Sequence, residues 1–510
     1  MRAMSTGTAR PNLTGAVVLS LVLVAVVFAL NTWLCAQSAL LQMPFVFSNS
    51  DMNLYVKWAE SIRDQGWLNP RPYHPYVHWM QAIGSYDEWL SWWGGGQIFQ
   101  SAPLYPYLVA VSITLFDSLL PMHWAQCVFS IGVCAALGWV SYRLTRAPWA
   151  GLAGLLLAAG YGPFHAYAFP LLRDMLGWGL TAWVMLAAIE VDVHWGHLTR
   201  RRAWSVVLGT GLGLGFLARE TFLVVIPAVV AARLWRGYRE RDFRGLAALA
   251  LPIVLAVSVV AYRNLQVGAP LLSTSNRYME NVVIGNAAST HPAVFRAPPE
   301  MRALVRAANG DMKKLFVDSV RTHPSLSSWA WLQARKVLSF FDPDEPCDNI
   351  TLAFMGTISP MVRFGLPHWF IIVPGVLWLF LSLWRRDKQH AWLWALLPLI
   401  SSSIFLTVAV SRYRQALVVF WLPWAVYALS IVVAHLKSRM PARAAVPALL
   451  CVSGWAACWL APGVIDASAA DRPTEYQIAI GIHEQLGETE SADAMRALLR
   501  ERFPGASESP

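Results

Sequence analysis

Four groups of ionisable residues stand at or just beyond the ends of apolar runs, where charge is costly: Asp51, Arg173-Asp174, Arg219-Glu220, and Arg412 with Arg414. Planar guanidinium forks match phosphate oxygens, so Arg219, Arg412 and Arg414 could line a site that neutralises a phosphate. Asp51 would add a carboxylate able to take a proton from an incoming hydroxyl. An acid and several arginines at one depth point to transfer from a phosphate leaving group. Each group also has a plainer role. Arg173-Asp174 and Arg219-Glu220 can cap helices or pair locally, and Arg412 and Arg414 can snorkel to lipid headgroups. The shared depth of all four favours chemistry.

Other candidates are weaker. Asp342-Pro343-Asp344 has the form of an acidic metal–nucleotide motif, but in a proline-rich stretch it reads better as an acidic turn. His74 and His78 have metal-like spacing, yet Pro72 and Pro75 argue against a helix presenting both. His483-Glu484 lacks the second histidine of a zinc-protease helix, and no phosphate-binding glycine loop with a lysine is present. Six cysteines form no CxxC pair, so neither a zinc site nor a disulfide framework is signalled. Cys35 and Cys347 could meet on one side of the membrane, although free thiols are the simpler reading.

The elements that must carry these residues are membrane helices. A chain of 510 residues that is 56% hydrophobic and 14% charged has more apolar side chain than a soluble core can hide. Apolar stretches of roughly 17–25 residues, enough to cross a bilayer, recur along it. The net charge of +10 does not require nucleic acid. Its arginines gather beside apolar runs, at Arg143/Arg146, Arg200 to Arg202, Arg233 to Arg244, Arg385 to Lys388 and Lys437 to Arg443, as inward-facing loops do.

The fold expected is an all-α polytopic membrane protein with about 11–13 transmembrane helices. Leu13 to Leu34 is too long for a signal-peptide core of roughly 7–15 residues and reads as a retained anchor running outward. Of the apolar stretches 104–120 and 123–142, only one can be a simple span if Arg143 is to lie inside. Spans then follow near 148–167, 173–191, 203–218, 221–235, 246–262, 365–384, 391–410, 414–434 and 444–461. The organisation is an N-terminal membrane module (1–262) whose first loop (35–102) carries Asp51, a large extracytoplasmic loop (263–361), C-terminal spans (362–461) and an extracytoplasmic tail (462–510). Amphipathic interfacial helices are expected in the first loop, a small mixed domain in the second, and one amphipathic helix near 476–502 in the tail. On this parity all four ionisable groups face the extracytoplasmic side.

Several segments, in order, resemble one family. Ser50-Asp51-Met52-Asn53-Leu54-Tyr55 with Trp58-Ala59 is similar to an acidic segment ending in tyrosine and alanine. Ser101-Ala102-Pro103-Leu104-Tyr105-Pro106, Leu172-Arg173-Asp174, Leu217-Ala218-Arg219-Glu220-Thr221, Arg263-Asn264 with Ser273-Thr274-Ser275-Asn276 and Gly285-Asn286, and Ser411-Arg412-Tyr413-Arg414 follow in the same order. Together they resemble the GT-C fold membrane glycosyltransferases of the protein O-mannosyltransferase and lipid A aminoarabinose transferase type. Met52 stands where that family has a second acid, and Ala102 where some members have a lysine.

The resemblance implies a glycosyltransferase that moves a sugar from a polyprenyl-phosphate carrier, with Asp51 as base and inversion at the anomeric carbon. Asp174, Arg219, Arg412, Arg414 and Tyr55 take substrate-binding places by match. No cofactor is fixed, and a divalent metal stays open. Partners would be the lipid-linked donor, membrane lipid and an acceptor glycan, lipid or protein, with no nucleic acid. Six lysines against abundant arginine, alanine and tryptophan suit a bacterial inner membrane. Two alternatives stay in view: a lipid-linked glycan ligase or polymerase, and a flippase, although the matching halves of a transporter are not visible.

Overall fold

The computed structural model describes residues 13–92, 94–275, 278–346, 348–384, 401, 406–407, 410–460 and 470–507. Those residues form helices, and no named strand occurs among them; the one isolated bridge joins Tyr161 and Leu366. The chain is an all-α polytopic membrane protein. Six described helices are long and apolar enough to cross a bilayer: Thr14–Ala36, Leu120–Thr145, Asp174–Val193, Leu246–Val267, Arg412–Lys437 and Pro441–Leu460. Leu198–Ala218 and Phe222–Glu240 are of similar length and carry arginines toward their other ends. Most of the span expected near 391–410, the basic segment 385–390, Cys347 and Asn276 lie outside the described residues.

Side chains facing away from the protein are apolar, as contact with lipid demands. Leu19, Val22, Leu23 and Val26 on the first helix, and Leu251, Val254, Leu255 and Val259 on Leu246–Val267, are exposed. Small residues let helices approach inside. A Cβ added at Gly138 would stand 2.8 Å from the Gly151 carbonyl oxygen, so Leu120–Thr145 and Pro148–Ala159 pack backbone to backbone there.

Asp174–Val193 is the central strut, packed on Leu120–Thr145, Leu198–Ala218 and Ser411–Lys437. At about 1.5 Å per residue its ends lie about 30 Å apart. The Glu190–Asp192 end is occupied by basic side chains: Arg143 and Arg233 each pair with it, and Arg236 joins Arg233 on Asp192. Asp174 lies at the opposite end, away from this basic layer.

The structure corrects several expected boundaries. Of the two stretches after the first loop, Leu104–Phe116 is short, about 20 Å, while Leu120–Thr145 has spanning length. Asp117, with φ of 47°, turns the chain between them. The span expected at 148–167 is broken into Pro148–Ala159 and Gly162–Ala168. At the break, Gly160 and Gly162 exchange backbone hydrogen bonds with Leu366 (2.7 and 3.1 Å) in place of continuing the helix. The tail helix is two helices, Thr474–Gln485 and Thr489–Arg502, separated by Gly487 at φ 74°. The expected mixed domain at 263–361 is helical among its described residues.

The two large loops pack on one another. Met80 and Trp89 from the first share a buried apolar cluster with Val283, Ile284, Met301 and Leu315 from the second. Arg263 fixes the junction by donating to the carbonyls of Leu68 (3.0 Å), Asn69 (2.6 Å) and Gln97 (2.7 Å). Asn264 in turn folds the following segment back onto itself through Pro270 and Ser273 carbonyls, both at 2.9 Å.

Candidate active site

Asp51 opens the helix Asp51–Gln65, where a carboxylate is favoured by the unpaired N–H groups of the first turn. Ser50 caps that helix by accepting from the Asn53 N–H at 3.3 Å and donates to the Phe47 carbonyl at 2.7 Å. The Asn53 amide anchors the turn by donating to the Pro44 carbonyl at 2.9 Å. The helix is buried along most of one face, including Leu54, Tyr55, Trp58 and Ile62, so Asp51 is held on a rigid element and not on a loose loop.

The Asp51 carboxylate contacts the Arg412 guanidinium and accepts from the Asn349 amide at 3.2 Å. Arg412 stands at the start of Ser411–Lys437 and gathers two further carboxylates. Its Nε is 2.9 Å from Asp348 Oδ2, and Nη1 is 3.8 Å from Asp174 Oδ2. Asn349 also donates to Asp348 at 3.2 Å, clipping Asp51 and Asp348 together. Three acids thus converge on one cation.

Arg219 completes the cluster through Asp174, its Nη2 lying 2.9 Å from Oδ1. Both arginines approach Tyr413, whose ring centroid is 5.4 Å from each guanidinium carbon. The Arg173-Asp174 and Arg219-Glu220 pairs exchange partners across the helices and are not local pairs. Arg173 holds Glu220 at 3.0 Å, while Arg219 holds Asp174. Glu220 also accepts from the Ala102 N–H at 3.0 Å. Burial alone would raise the Glu220 carboxyl, but the Arg173 charge and these hydrogen bonds bring it down to about 2.

Arg414 faces elsewhere. Its guanidinium donates to the carbonyls of Ser339 (2.7 Å), Asp344 (3.0 Å) and Asp342 (3.3 Å), contacts His368 and lies 3.0 Å from Glu345. Residues two apart on a helix are about 200° apart around its axis, so Arg412 and Arg414 cannot both point into one cluster from a regular first turn. Asp342 also accepts from the Asp344 N–H at 3.0 Å, a turn closed by its own side chain. Tyr55 lies one turn beyond Asp51, fully buried and edge-on to Tyr105 at 4.9 Å. Its hydroxyl has no hydrogen-bond partner among the described residues, and burial raises its pKa.

Asp348, Asn349 and Arg472 were not among the expected site residues. Asp348 shares a proline- and acid-rich loop with Asp342, Asp344 and Glu345, and nothing in its local sequence singles it out. Burial raises its carboxyl to about 6, with Arg412 opposing and Asp174 and Asp51 adding to the rise. Arg472, from the tail, donates to the Asp348 carbonyl at 2.6 Å and pairs with Glu475 at 2.9 Å.

A cavity of about 350 Å³ opens from this cluster. Asp51, Asp348 and Arg412 line one part of it, Trp79 and Phe295 supply aromatic wall, and Arg296 is exposed on its lining. Such a mixture of apolar faces and a few convergent charges suits a polar ligand with a ring. Among the described residues, no group of three or more His, Cys, Asp or Glu is arranged to hold a metal ion. The acids present converge on the guanidinium of Arg412.

No family model matches the chain, and no curated protein does. Among solved structures, the oligosaccharyltransferase of Archaeoglobus fulgidus in its apo form is similar, at 13% identity over 92% of this chain and 58% of that one, with a TM-score of 0.48. Oligosaccharyltransferase AglB of the same organism, in complex with an inhibitory peptide and a dolichol-phosphate, is similar at 14% identity, covering 91% of this chain and 57% of that one, with a TM-score of 0.44. The chain therefore spans less than three-fifths of the length of these proteins. At this identity and these TM-scores the likeness assigns no substrate or partner.

Proposed function

We propose that this chain is a membrane glycosyltransferase that moves a sugar from a polyprenyl-phosphate-linked donor to an acceptor at the extracytoplasmic face. The observation that carries the reading is the meeting of Asp51 and Arg412 at the edge of one cavity, with Arg219 joined to them through Asp174. Two guanidinium groups, each against the Tyr413 ring, suit the phosphate of the donor, and the carboxylate suits the acceptor. The bacterial inner membrane remains part of the proposal, and the acceptor is a glycan, lipid or protein.

In the proposed reaction the acceptor hydroxyl gives its proton to an Asp51 oxygen as its own oxygen bonds to the anomeric carbon. The bond from that carbon to the phosphate oxygen breaks on the opposite face, and its electron pair stays on the phosphate, so configuration inverts. Arg412 and Arg219 stabilise the charge that grows on the leaving phosphate. A carboxylate held by a guanidinium is a poor proton acceptor. Donor phosphate drawing Arg412 toward itself would weaken that hold and ready Asp51 only when donor is bound. Asp348 would keep the arginine in place meanwhile.

The test is to incubate purified protein in lipid nanodiscs, with a bacterial membrane extract as the source of acceptor, with polyprenyl-phosphate monosaccharides and, separately, with pyrophosphate-linked oligosaccharides. Consumption of a monosaccharide donor with release of polyprenyl phosphate is expected. Consumption of the oligosaccharide alone would establish the ligase alternative, and consumption of neither would reject both.

A further inference from the structure

The helix Leu326–Ser339, in the second large loop, is built inside out for a helix in water. Its outward face carries Ala330, Trp331, Val337 and Leu338, with Trp331 62%, Leu338 48% and Val337 41% exposed. Arg335, half-buried, stands at the flank of that face beside Trp331 and is the charged residue nearest to it. Its inward face carries the polar groups. Trp329 and Gln333 both donate to the Asn286 side-chain oxygen, at 3.1 and 3.2 Å. Lys336 is 0% exposed and donates to the carbonyls of Gly285 (2.5 Å) and Thr407 (3.1 Å). Next to water, burying a lysine while exposing tryptophan, valine and leucine costs free energy on both sides.

We infer that this helix lies in the lipid–water boundary of the outer leaflet, with its apolar face against acyl chains and headgroups. The inference rests on the chain's being a membrane protein and, for the choice of leaflet, on the extracytoplasmic placement proposed above; it does not depend on the reaction. Two attachments set the helix at that level. The Ser339 carbonyl accepts from Arg414 on the first turn of Ser411–Lys437, a helix of spanning length, and Lys336 reaches Thr407 just before that turn. The C-terminal end of Leu326–Ser339 is therefore pinned where a spanning helix begins. Fourteen residues extend about 21 Å along the surface. Aliphatic side chains with an indole among them, and an arginine at the flank whose stem can run along the apolar face to the headgroups, fit the boundary between hydrocarbon and headgroups. A specific protein partner would find almost no polar group there to align it. The large loop is thus anchored in lipid beside the candidate active site.

The test places single cysteines at Ala330, Ala334 and Val337, one at a time, in a full chain whose native cysteines are replaced. Each is labelled with a nitroxide and reconstituted in phosphatidylethanolamine–phosphatidylglycerol bilayers. Power saturation then compares access of oxygen, which partitions into lipid, with access of a water-soluble nickel chelate. Lys313, exposed on the neighbouring helix Met312–Arg321, serves as the aqueous reference. The expected result is an oxygen-to-nickel accessibility ratio several-fold above that at Lys313. A ratio equal to the reference overturns the inference, and so does shielding from both reagents, which would mean that protein covers the face. Any one of the three labelled positions decides the matter if another fails to fold.

Discussion

Arg219 reaches Asp174, at 2.9 Å, by laying its aliphatic stem across the helix at Gly177, where a Cβ would collide with the arginine's own methylenes. Glycine one turn after the acid is therefore what lets an arginine from a different helix end come to the site. Gly177→Leu should displace Arg219 and reduce kcat/KM about 10²-fold, comparable with loss of one charge-stabilising donor. Gly177→Ala should cost less, because the obstructing atoms belong to a flexible side chain. Equal activity in Gly177→Leu and wild type, with the protein folded, would separate Arg219 from the chemistry.

Asp51→Asn preserves the shape of the side chain and the capped helix start but removes the proton acceptor. Turnover should fall about 10²–10⁴-fold, while donor binding, measured by calorimetry, persists. A thermal melt should accompany the assay, because Arg412 retains Asp348 but loses one of its anionic partners. Near-normal turnover would make Asp51 a structural ion-pair residue only.

The two arginines of the same helix turn should separate. Arg412→Lys replaces a fork that meets Asp51 and Asp348 with a point charge, and kcat/KM should fall at least tenfold at normal expression. Arg414→Ala leaves Glu345 and three backbone carbonyls without their buried cation, so its main effect should be about 3–5 kcal/mol of lost stability, read as a lower melting temperature. A stable but inactive Arg414→Ala would return Arg414 to the phosphate site.

Asp348 should introduce a pH dependence. Its carboxyl is raised to about 6 by burial, so between the ordinary carboxylate range and pH 6 the folded protein binds a proton that the unfolded chain releases. That group's contribution therefore disfavours folding as pH rises through this window and favours it as pH falls. Activity should run the other way. Protonation weakens the grip of Asp348 on Arg412, so kcat should decline below about pH 6. Asp348→Asn should lower activity at neutral pH and flatten that acidic limb. An unchanged limb in the variant would assign it to another group.

Topology gives an independent check of the side on which the site lies. Reporters at residue 300 and at the C-terminal end should read outside, and one at residue 240 inside. Residue 300 in the cytoplasm would remove the extracytoplasmic placement of the reaction.

Lipid made much of this protein legible in its sequence. A hydrocarbon solvent forces long apolar helices, so Leu120–Thr145, Asp174–Val193 and Ser411–Lys437 stand out by composition, and Asp51, Arg173-Asp174, Arg219-Glu220 and Arg412 stand out as costly exceptions at their ends. What periodicity does not contain is which exception meets which. Arg173 with Glu220 and Arg219 with Asp174 are long-range choices set by how two helix ends lie side by side. Asp348 is one acid among several in an irregular loop until tertiary packing places it 2.9 Å from Arg412. Arg414 resembles Arg412 in type and depth, yet the turn of the helix sends it to Glu345 and the Ser339 carbonyl. Burial by a solvent of low dielectric acts on every residue of a segment and is written locally; ion pairing acts between particular atoms a few ångströms apart, and only the folded chain fixes those distances.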